Sequence, residues 1–300
     1  MSSEKVSSDF HLKLSHWFEY VENFNLEMCC TKLSYSLTTP LFTSSSSVYF
    51  DLQDDIPRGD HCLYLYHLIE TDLDSVGLQI WNSSIVLADW IISKINILQN
   101  SNVIELGCGI GFLSILMSQF AKETYATDYN LSTLELCEFN NNYNKSNVKV
   151  KMLNWNQSIN DNFQFINSDM SRSKFHLSEV DKINFYGNID YIIASDVVYD
   201  DDITDYFLRT VYELMLINRN CKVIIFLQRR IICNYQNEDY SPHFDYFIEC
   251  LDQLNDYEPD GENAKFVVEN IDVNNIDQYF QYSQGRSFIH GFQLTLVNTN

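Results

Sequence analysis

Acidic, glycine and aromatic residues stand in this chain at spacings that suit the capture of a small cationic molecule. Glu105 lies two residues before Gly107, and Gly109 and Gly111 follow at alternate positions in the run Ile104-Glu105-Leu106-Gly107-Cys108-Gly109-Ile110-Gly111. Glycines there let the backbone turn tightly against a ligand, while the first amides of the following helix offer hydrogen-bond donors. A dinucleotide fingerprint reads G-x-G-x-x-G; here the third glycine comes one residue early and an acid precedes the first. Glu105 would repel a pyrophosphate, but it suits a ligand that has a cationic amino group and no phosphate. S-adenosylmethionine is such a ligand. Asp128 follows Gly107 by 21 positions, where a carboxylate at the end of a second strand can accept ribose hydroxyls. Taken alone, Asp128 reads equally as a helix cap or turn residue.

These residues meet only if strands and helices carry them to one edge. From Val103 the pattern alternates: strand 103–106, helix 111–121, strand 124–128, helix 131–143, strand 148–155. This βαβαβ order predicts a doubly wound parallel sheet. About thirty mostly polar residues (156–188) then precede a buried strand, Ile189 to Asp196. Next come a helical stripe through Ile203, Phe207, Val211 and Leu214, a strand over 222–227, a helix over 244–254, and strands over 265–271 and 291–297. No long helix separates the last two, which predicts an antiparallel hairpin closing a seven-strand sheet. Ligands of open α/β sheets lie at the carboxyl ends of strands, so Gly107, Asp128, Trp155, Ser195 and Asp196 should share one crevice. Upstream, Ile85, Ala88, Ile92 and Ile95 fall at helical spacing with Ser83 or Ser84 as N-cap, and Trp81 just ahead is either core or pocket wall. Residues 1–75 are less periodic and are assigned to a β-rich or irregular, partly flexible extension, with a domain over 76–300. Within the extension, Phe10–Leu14 and Val48–Leu52 are β-prone, Thr38–Ser47 is a Ser/Thr-rich loop, and Gln53–Asp60 is loop.

A net charge of −22 argues against a surface that binds nucleic-acid phosphates, which requires Lys and Arg. A basic partner is electrostatically easier, although the same excess also serves solubility. The run Asp200-Asp201-Asp202 is open to both readings: it complements a helix N-terminus, or it draws a basic peptide to the crevice mouth. The first ten residues lack a signal-peptide core, and no apolar run approaches bilayer length, so the chain is expected inside the cell, in cytoplasm or nucleus, with no membrane contact. Eight cysteines without a C-x-x-C pair read as reduced buried thiols, with no metal site. A monomer is expected.

Three stretches together resemble one family: Val76-Gly77-Leu78-Gln79-Ile80-Trp81, the turn Glu105 to Gly111, and Ala194-Ser195-Asp196-Val197-Val198-Tyr199 with its D-x-x-Y motif. They are similar to the family-16 seven-strand lysine methyltransferases. The resemblance implies the class I, Rossmann-like methyltransferase fold and methyl transfer from S-adenosylmethionine to a lysine of another protein. It implies that Trp81, Glu105, Gly107, Gly109, Asp128, Trp155 and Ser195 contact the cofactor, with Trp155 against adenine and Asp128 on the ribose. Asp196 and Tyr199 would serve the substrate lysine. Cys108 and Asn154 depart from the family pattern, where Ala or Ser and Asp are frequent; Asn154 keeps a carbonyl acceptor but loses a charge. The chemistry needs a neutral amine, whereas free lysine has a pKa of about 10.4, and a bare Asp196 carboxylate would favour the ammonium. Asp196 is therefore expected chiefly to position the amine or main chain. Three rivals stay open: a nicotinamide dehydrogenase, which Glu105 and the glycine spacing oppose; a non-catalytic cofactor-binding module, which Asp196 and Tyr199 oppose; and a small-molecule methyltransferase, which only the D-x-x-Y motif opposes.

Overall fold

The computed structural model describes residues 5–7, 16–35, 61–164, 174–233, 239–256, 264–280 and 286–299. In chain order, β1 (Lys5–Ser7) pairs antiparallel with β5 (Glu70–Asp72), and β2 (His16–Val21), β3 (Leu26–Tyr35) and β4 (His61–His67) form an antiparallel sheet. Helix α1 (Asn82–Ser93) and the short α2 (Ile95–Leu98) lead into β6 (Asn102–Leu106), α3 (Phe112–Met117), β7 (Glu123–Asp128), α4 (Leu131–Tyr143) and β8 (Lys149–Met152). After α5 (Ile159–Asn162) and α6 (Glu179–Phe185) come β9 (Tyr191–Ser195), α7 (Asp201–Ile217) and β10 (Lys222–Gln228). The chain continues through β11 (Ile232–Cys233), β12 (Asp239–Tyr240), α8 (Pro242–Asp256), β13 (Ala264–Ile271) and β14 (Ile289–Asn298).

The central sheet runs β13-β14-β10-β9-β6-β7-β8, with β6 to β10 mutually parallel and β14 antiparallel to both β10 and β13. The expected doubly wound sheet and antiparallel closing pair are both present. Its inner strands are apolar at nearly every position because both faces are covered. Val103, Ile193 and Ile224 pack on the face of α1, α3 and α4, while Ile104, Leu106, Ile192 and Ile225 pack on the face of α7 and α8. Alternate residues of each strand thus feed separate cores. The chain reverses its direction of winding between β6 and β9, and the crevice beyond their carboxyl ends is where such sheets take ligands.

Three local expectations need correction, the first being the strand expected over 148–155, which ends as β8 at Met152 and leaves Trp155 in the turn beyond it. Helix α1 starts at Asn82 with Trp81 in the N-cap position and no side-chain cap, so neither serine caps it. Ser84 Oγ instead donates to the Trp81 carbonyl at 2.6 Å, and Ser83 is spent on a contact with β9. Helix α3 ends at Met117 rather than 121, since residues 118–120 tighten into turns that reconnect to β7.

The β-prone stretches 10–14 and 48–52 and the loops 38–47 and 53–60 lie outside the described residues. The described part of the extension is a packed sheet: Met28, Cys30, Leu33, Leu63 and Leu65 join the same core as Ile85 and Ile91 of α1. Two asparagines, one inside α4 and one at its C-cap, hold the edge of this sheet. Asn140 and Asn144 each accept from and donate to the backbone of β4, at Tyr66 (2.8 and 3.0 Å) and Tyr64 (2.9 and 2.7 Å). The polar insert is likewise anchored where it is described. Phe163, Phe175, Leu177 and Phe185 are buried, the Met152 amide donates to the Phe175 carbonyl, and Lys151 pairs with Asp181 at 2.7 Å. A capping box between Ser178 and Asp181 starts α6.

Candidate active site

The glycine turn caps β6. The amides of Gly107 and Cys108 both donate to the Thr127 carbonyl at 2.9 Å, so β7 holds the turn in place. Gly107 has φ +71°, and a Cβ there would lie 2.8 Å from Val197 Cγ1 and 3.1 Å from Trp155 Cη2. A side chain would therefore be strained by conformation and would collide with two elements that wall the crevice. Gly109 (φ +52°) has the Gly77 carbonyl 3.0 Å from where its Cβ would stand, so the turn packs against the segment leading to α1.

Beyond the turn opens a cavity of about 620 Å³ whose lining includes every residue singled out from the sequence: Trp81, Glu105, Gly107, Gly109, Asp128, Trp155, Ser195, Asp196 and Tyr199. The lining carries five carboxylates, on Asp74, Glu105, Asp128, Asp196 and Asp200, and among the described residues no Lys, Arg or His. Such a wall selects cations and disfavours phosphates.

Each acid is held differently. Glu105 is buried; its Oε2 accepts the Ser114 amide at 2.9 Å and the Ser114 hydroxyl, which ties β6 to α3. Burial pushes the Glu105 carboxyl up to about 8, against the pull of Ser114, with Asp128 adding to the rise. Asp128 accepts amides from Gly109 (3.3 Å), Tyr129 (2.8 Å) and Asn130 (3.0 Å), and burial pushes it to about 6 despite these donors. Asp196 has a left-handed backbone, φ +54°, which is uncommon outside glycine and collects at functional sites. Its Oδ1 accepts the Gln228 amide at 3.0 Å and faces Arg230 Nη2 at 3.4 Å; its Oδ2 is buried without a hydrogen-bond partner among the described residues.

The aromatic and hydroxyl members complete the wall. Trp81 donates from Nε1 to the Val76 carbonyl at 3.1 Å, and the Arg230 guanidinium lies 4.8 Å from the ring centroid. Trp155 packs against Phe207 with centroids 5.3 Å apart, and its buried Nε1 has no partner among the described residues. Asn154 Oδ1 already accepts the Asn156 amide at 3.0 Å. Ser195 Oγ and Ser83 Oγ are 2.6 Å apart, joining β9 to the start of α1. Tyr199 is 37% exposed at the rim, and burial of its hydroxyl end, with Asp128 as the next cause, pushes the phenol well above its usual range. Cys108 fits within the turn, its sulfur 3.9 Å from that of Cys137.

Arg230, Ser83 and Ser114 lie behind the lining and hold its members Asp196, Trp81, Ser195 and Glu105, a place that sequence reasoning gave to none of them. Arg230 lies in a loop two positions past β10, with no spacing to tie it to Trp81 or Asp196, and Ser83 reads naturally as a cap. Ser114 alone carries a signal: it stands on the buried face of α3, where a serine needs a partner.

S-adenosylmethionine fits this wall: the volume suits a ligand of that size, its ammonium and sulfonium match the carboxylates, and the Gly107 cradle leaves backbone and the Trp155 ring to meet it closely. The sheet order, with its last strand inserted antiparallel between the fifth and sixth, and the cavity at the β6/β9 switch define a class I, Rossmann-like methyltransferase fold. Within it, residues 65–171 match the family model described as "Lysine methyltransferase", so this part of the sheet and its glycine turn are similar to that family. The chain is 30% identical over 216 residues to methyltransferase-like protein 22 of Mus musculus, covering 69% of this chain and 53% of that protein. It is 28% identical over 219 residues to the Homo sapiens protein of the same name, covering 69% and 51%. It is 26% identical over 160 residues to protein N-lysine methyltransferase METTL21A of Xenopus tropicalis, covering 50% and 63%. The chain thus spans about half the length of the two first-named relatives.

Proposed function

We propose that this chain transfers a methyl group from S-adenosylmethionine to the side-chain nitrogen of a lysine in another protein. The observation that carries the reading is the cavity lining of five carboxylates, with no Lys, Arg or His among the described lining residues, assembled beyond the glycine turn. That wall suits a doubly cationic cofactor and an incoming lysine, and it opposes a nicotinamide dinucleotide, whose pyrophosphate would meet Glu105 and Asp128.

In this reading Gly107 and Gly109 give the cofactor close backbone contact, Glu105 neutralises its amino group, Asp128 accepts from the ribose, and Trp81, Trp155 and Ser195 shape the remaining wall. When bound, the cofactor supplies the electrophilic methyl that the lysine nitrogen attacks in line. The chain's task is to deliver that nitrogen neutral and aligned. Asp196 Oδ2, buried and unpartnered among the described residues, is the acceptor for an amine N–H. Tyr199 at the rim borders the lysine's path, and the proton lost by the amine passes to water. We assign residues 76–300 to the methyltransferase domain and 1–75 to an N-terminal extension, whose strands β2 to β4 share a core with α1. The rim acids Asp74 and Asp200 favour a lysine in a basic surrounding, and a net charge of −22 disfavours direct contact with nucleic acid.

The test is methyl transfer from tritiated S-adenosylmethionine to the proteins of a cell extract, with calorimetry of S-adenosylhomocysteine alongside. Asp196→Ala should lower transfer at least a hundredfold while cofactor-product affinity changes less than about threefold. Asp196→Asn retains the left-handed backbone and the Gln228 contact, so it isolates the charge. Full activity in Asp196→Ala would refute the assignment, and absence of S-adenosylhomocysteine binding would refute the cofactor.

A further inference from the structure

Asp196 poses a chemical conflict within this reading. A carboxylate beside the target nitrogen orients it, but opposite charge also favours the ammonium form, which has no lone pair for attack. The other titratable groups that line the cavity offer no relief: Glu105 on β6, Asp128 on β7, Asp200 past β9 and Asp74 ahead of α1 are acidic, Tyr129, Tyr199 and Tyr206 are phenolic, and Cys108 is a thiol.

A residue on another element meets this conflict. Arg230, two positions beyond β10, reaches back so that its Nη2 lies 3.4 Å from Asp196 Oδ1 and its guanidinium stacks 4.8 Å from the Trp81 centroid. The Gln228 amide donates to the same oxygen at 3.0 Å. Both partners engage Oδ1, and Oδ2 is left buried with none among the described residues. The carboxylate is therefore divided between one oxygen tied to a cation and an amide and another still able to accept. The left-handed backbone at Asp196, φ +54°, aims the side chain across to the β10 end, where these donors are. With 40% of its side chain exposed, Arg230 adds little to stability through this pair, so the arrangement calls for another reason.

We propose that Arg230 is a positioning residue that offsets the charge of Asp196, so that Oδ2 orients the incoming lysine without holding it as an ammonium. Through its stack on Trp81 it also links this balance to the wall formed ahead of α1. The inference rests on the lysine reading above and adds to it a residue that tunes the nucleophile.

The experiment measures initial rates of tritium transfer to extract proteins, at saturating acceptor, from pH 6.5 to 10 for the wild type, Arg230→Gln and Arg230→Lys. Removing the positive charge should move the rising limb of the rate profile upward by about one pH unit, so that Arg230→Gln is roughly tenfold slower near neutrality and recovers at high pH. Arg230→Lys, which keeps the charge, should return the limb to within about 0.3 unit of the wild type. Glu105 and Asp128 titrate in all three proteins and leave the difference unaffected. A merely structural role would lower the Arg230→Gln rate by one factor at every pH, and that result, or an unmoved limb, would overturn the inference. No transfer by the wild type at any pH would overturn the lysine reading itself, and the inference with it.

Discussion

Replacing Glu105 by Gln should make the ligand-free protein more stable in alkali while weakening its hold on the cofactor. The carboxyl is 3% exposed and is pushed to about 8, chiefly by burial, from an ordinary 4.5. Its folded-state pKa is raised, so the unfolded chain gives up the proton first and ionisation favours unfolding. The penalty is absent below 4.5, grows through the interval and is complete above 8. The gap from 4.5 to about 8, at about 1.4 kcal/mol per pH unit, amounts to about 5 kcal/mol at pH 8.5 and about 1.4 kcal/mol at pH 5.5. Gln keeps an oxygen for the Ser114 donors, but its amide pays about 1–3 kcal/mol for its own burial. The net expectation is a gain of about 2–4 kcal/mol at pH 8.5, or roughly 3–6 °C in melting temperature for a chain of 300 residues, and almost none at pH 5.5. Asp128, also raised, titrates in both proteins and cancels in the comparison. Calorimetry should show the opposite trend in binding: S-adenosylmethionine affinity falls by about ten- to a hundredfold in the variant, because a hydrogen bond to a charged partner is lost. Wild-type affinity should climb toward pH 8 as Glu105 ionises, and that climb should be missing in the variant. A melting difference that is equal at pH 5.5 and 8.5, or that favours the wild type in alkali, would refute the argument.

Gly107→Ala places a Cβ 2.8 Å from Val197 in a left-handed turn; conformational strain alone costs about 1–2 kcal/mol, so S-adenosylhomocysteine affinity should fall at least tenfold by calorimetry. Asp181→Ala leaves Lys151, whose side chain is 17% exposed, without its partner at 2.7 Å, and should cost about 3 kcal/mol in urea unfolding at pH 7. Lys151 and Ser178 hold the Asp181 carboxyl below its ordinary range against the opposing effect of burial. Its contribution is therefore present above the ordinary carboxylate pKa and fades as pH falls through the folded value, so the gap between wild type and Asp181→Ala should narrow in acid.

The central sheet, the glycine turn and the places of Asp128, Trp155, Ser195 and Asp196 could be read from sequence because local rules generate them, whereas the places of Trp81 and Tyr199 came from the family resemblance. Strands covered on both faces leave unbroken apolar runs such as Val103 to Leu106, and a tight turn leaves its glycines. The parallel topology then sends Gly107, Asp128, Trp155 and Ser195 to one edge without further information. What escaped detection depends on contacts between distant segments. Strand β3 interleaves Glu27, Thr31, Lys32 and Ser34 with its apolar residues, and buried Thr31 is tolerated because His67 Nε2 lies 2.8 Å away on β4. The described part of the insert hides five buried apolar residues, Ile159, Phe163, Phe175, Leu177 and Phe185, among polar ones at no regular period. Arg230 carried no signal, since its meaning comes from Trp81 and Asp196, far away in sequence.

Asn140 shows why the extension and the cofactor turn belong to one argument. Its side-chain amide donates to the Tyr66 carbonyl of β4 and, also at 3.0 Å, to the Ile110 carbonyl inside the turn, while its oxygen accepts the Tyr66 amide. It is fully buried, so each of these bonds replaces one that water cannot supply. Displacing β4 would strand the amide oxygen and one N–H of Asn140 and loosen the side chain that holds the turn at Ile110, next to Gly109 and Gly111. The Asn-rich end of α4, which looks like a polar surface helix in sequence, thus ties the edge of the extension's sheet to the cofactor turn. The extension therefore meets the cavity in two ways, through the hold of Asn140 on that turn and through Leu73 and Asp74, which line the cavity itself.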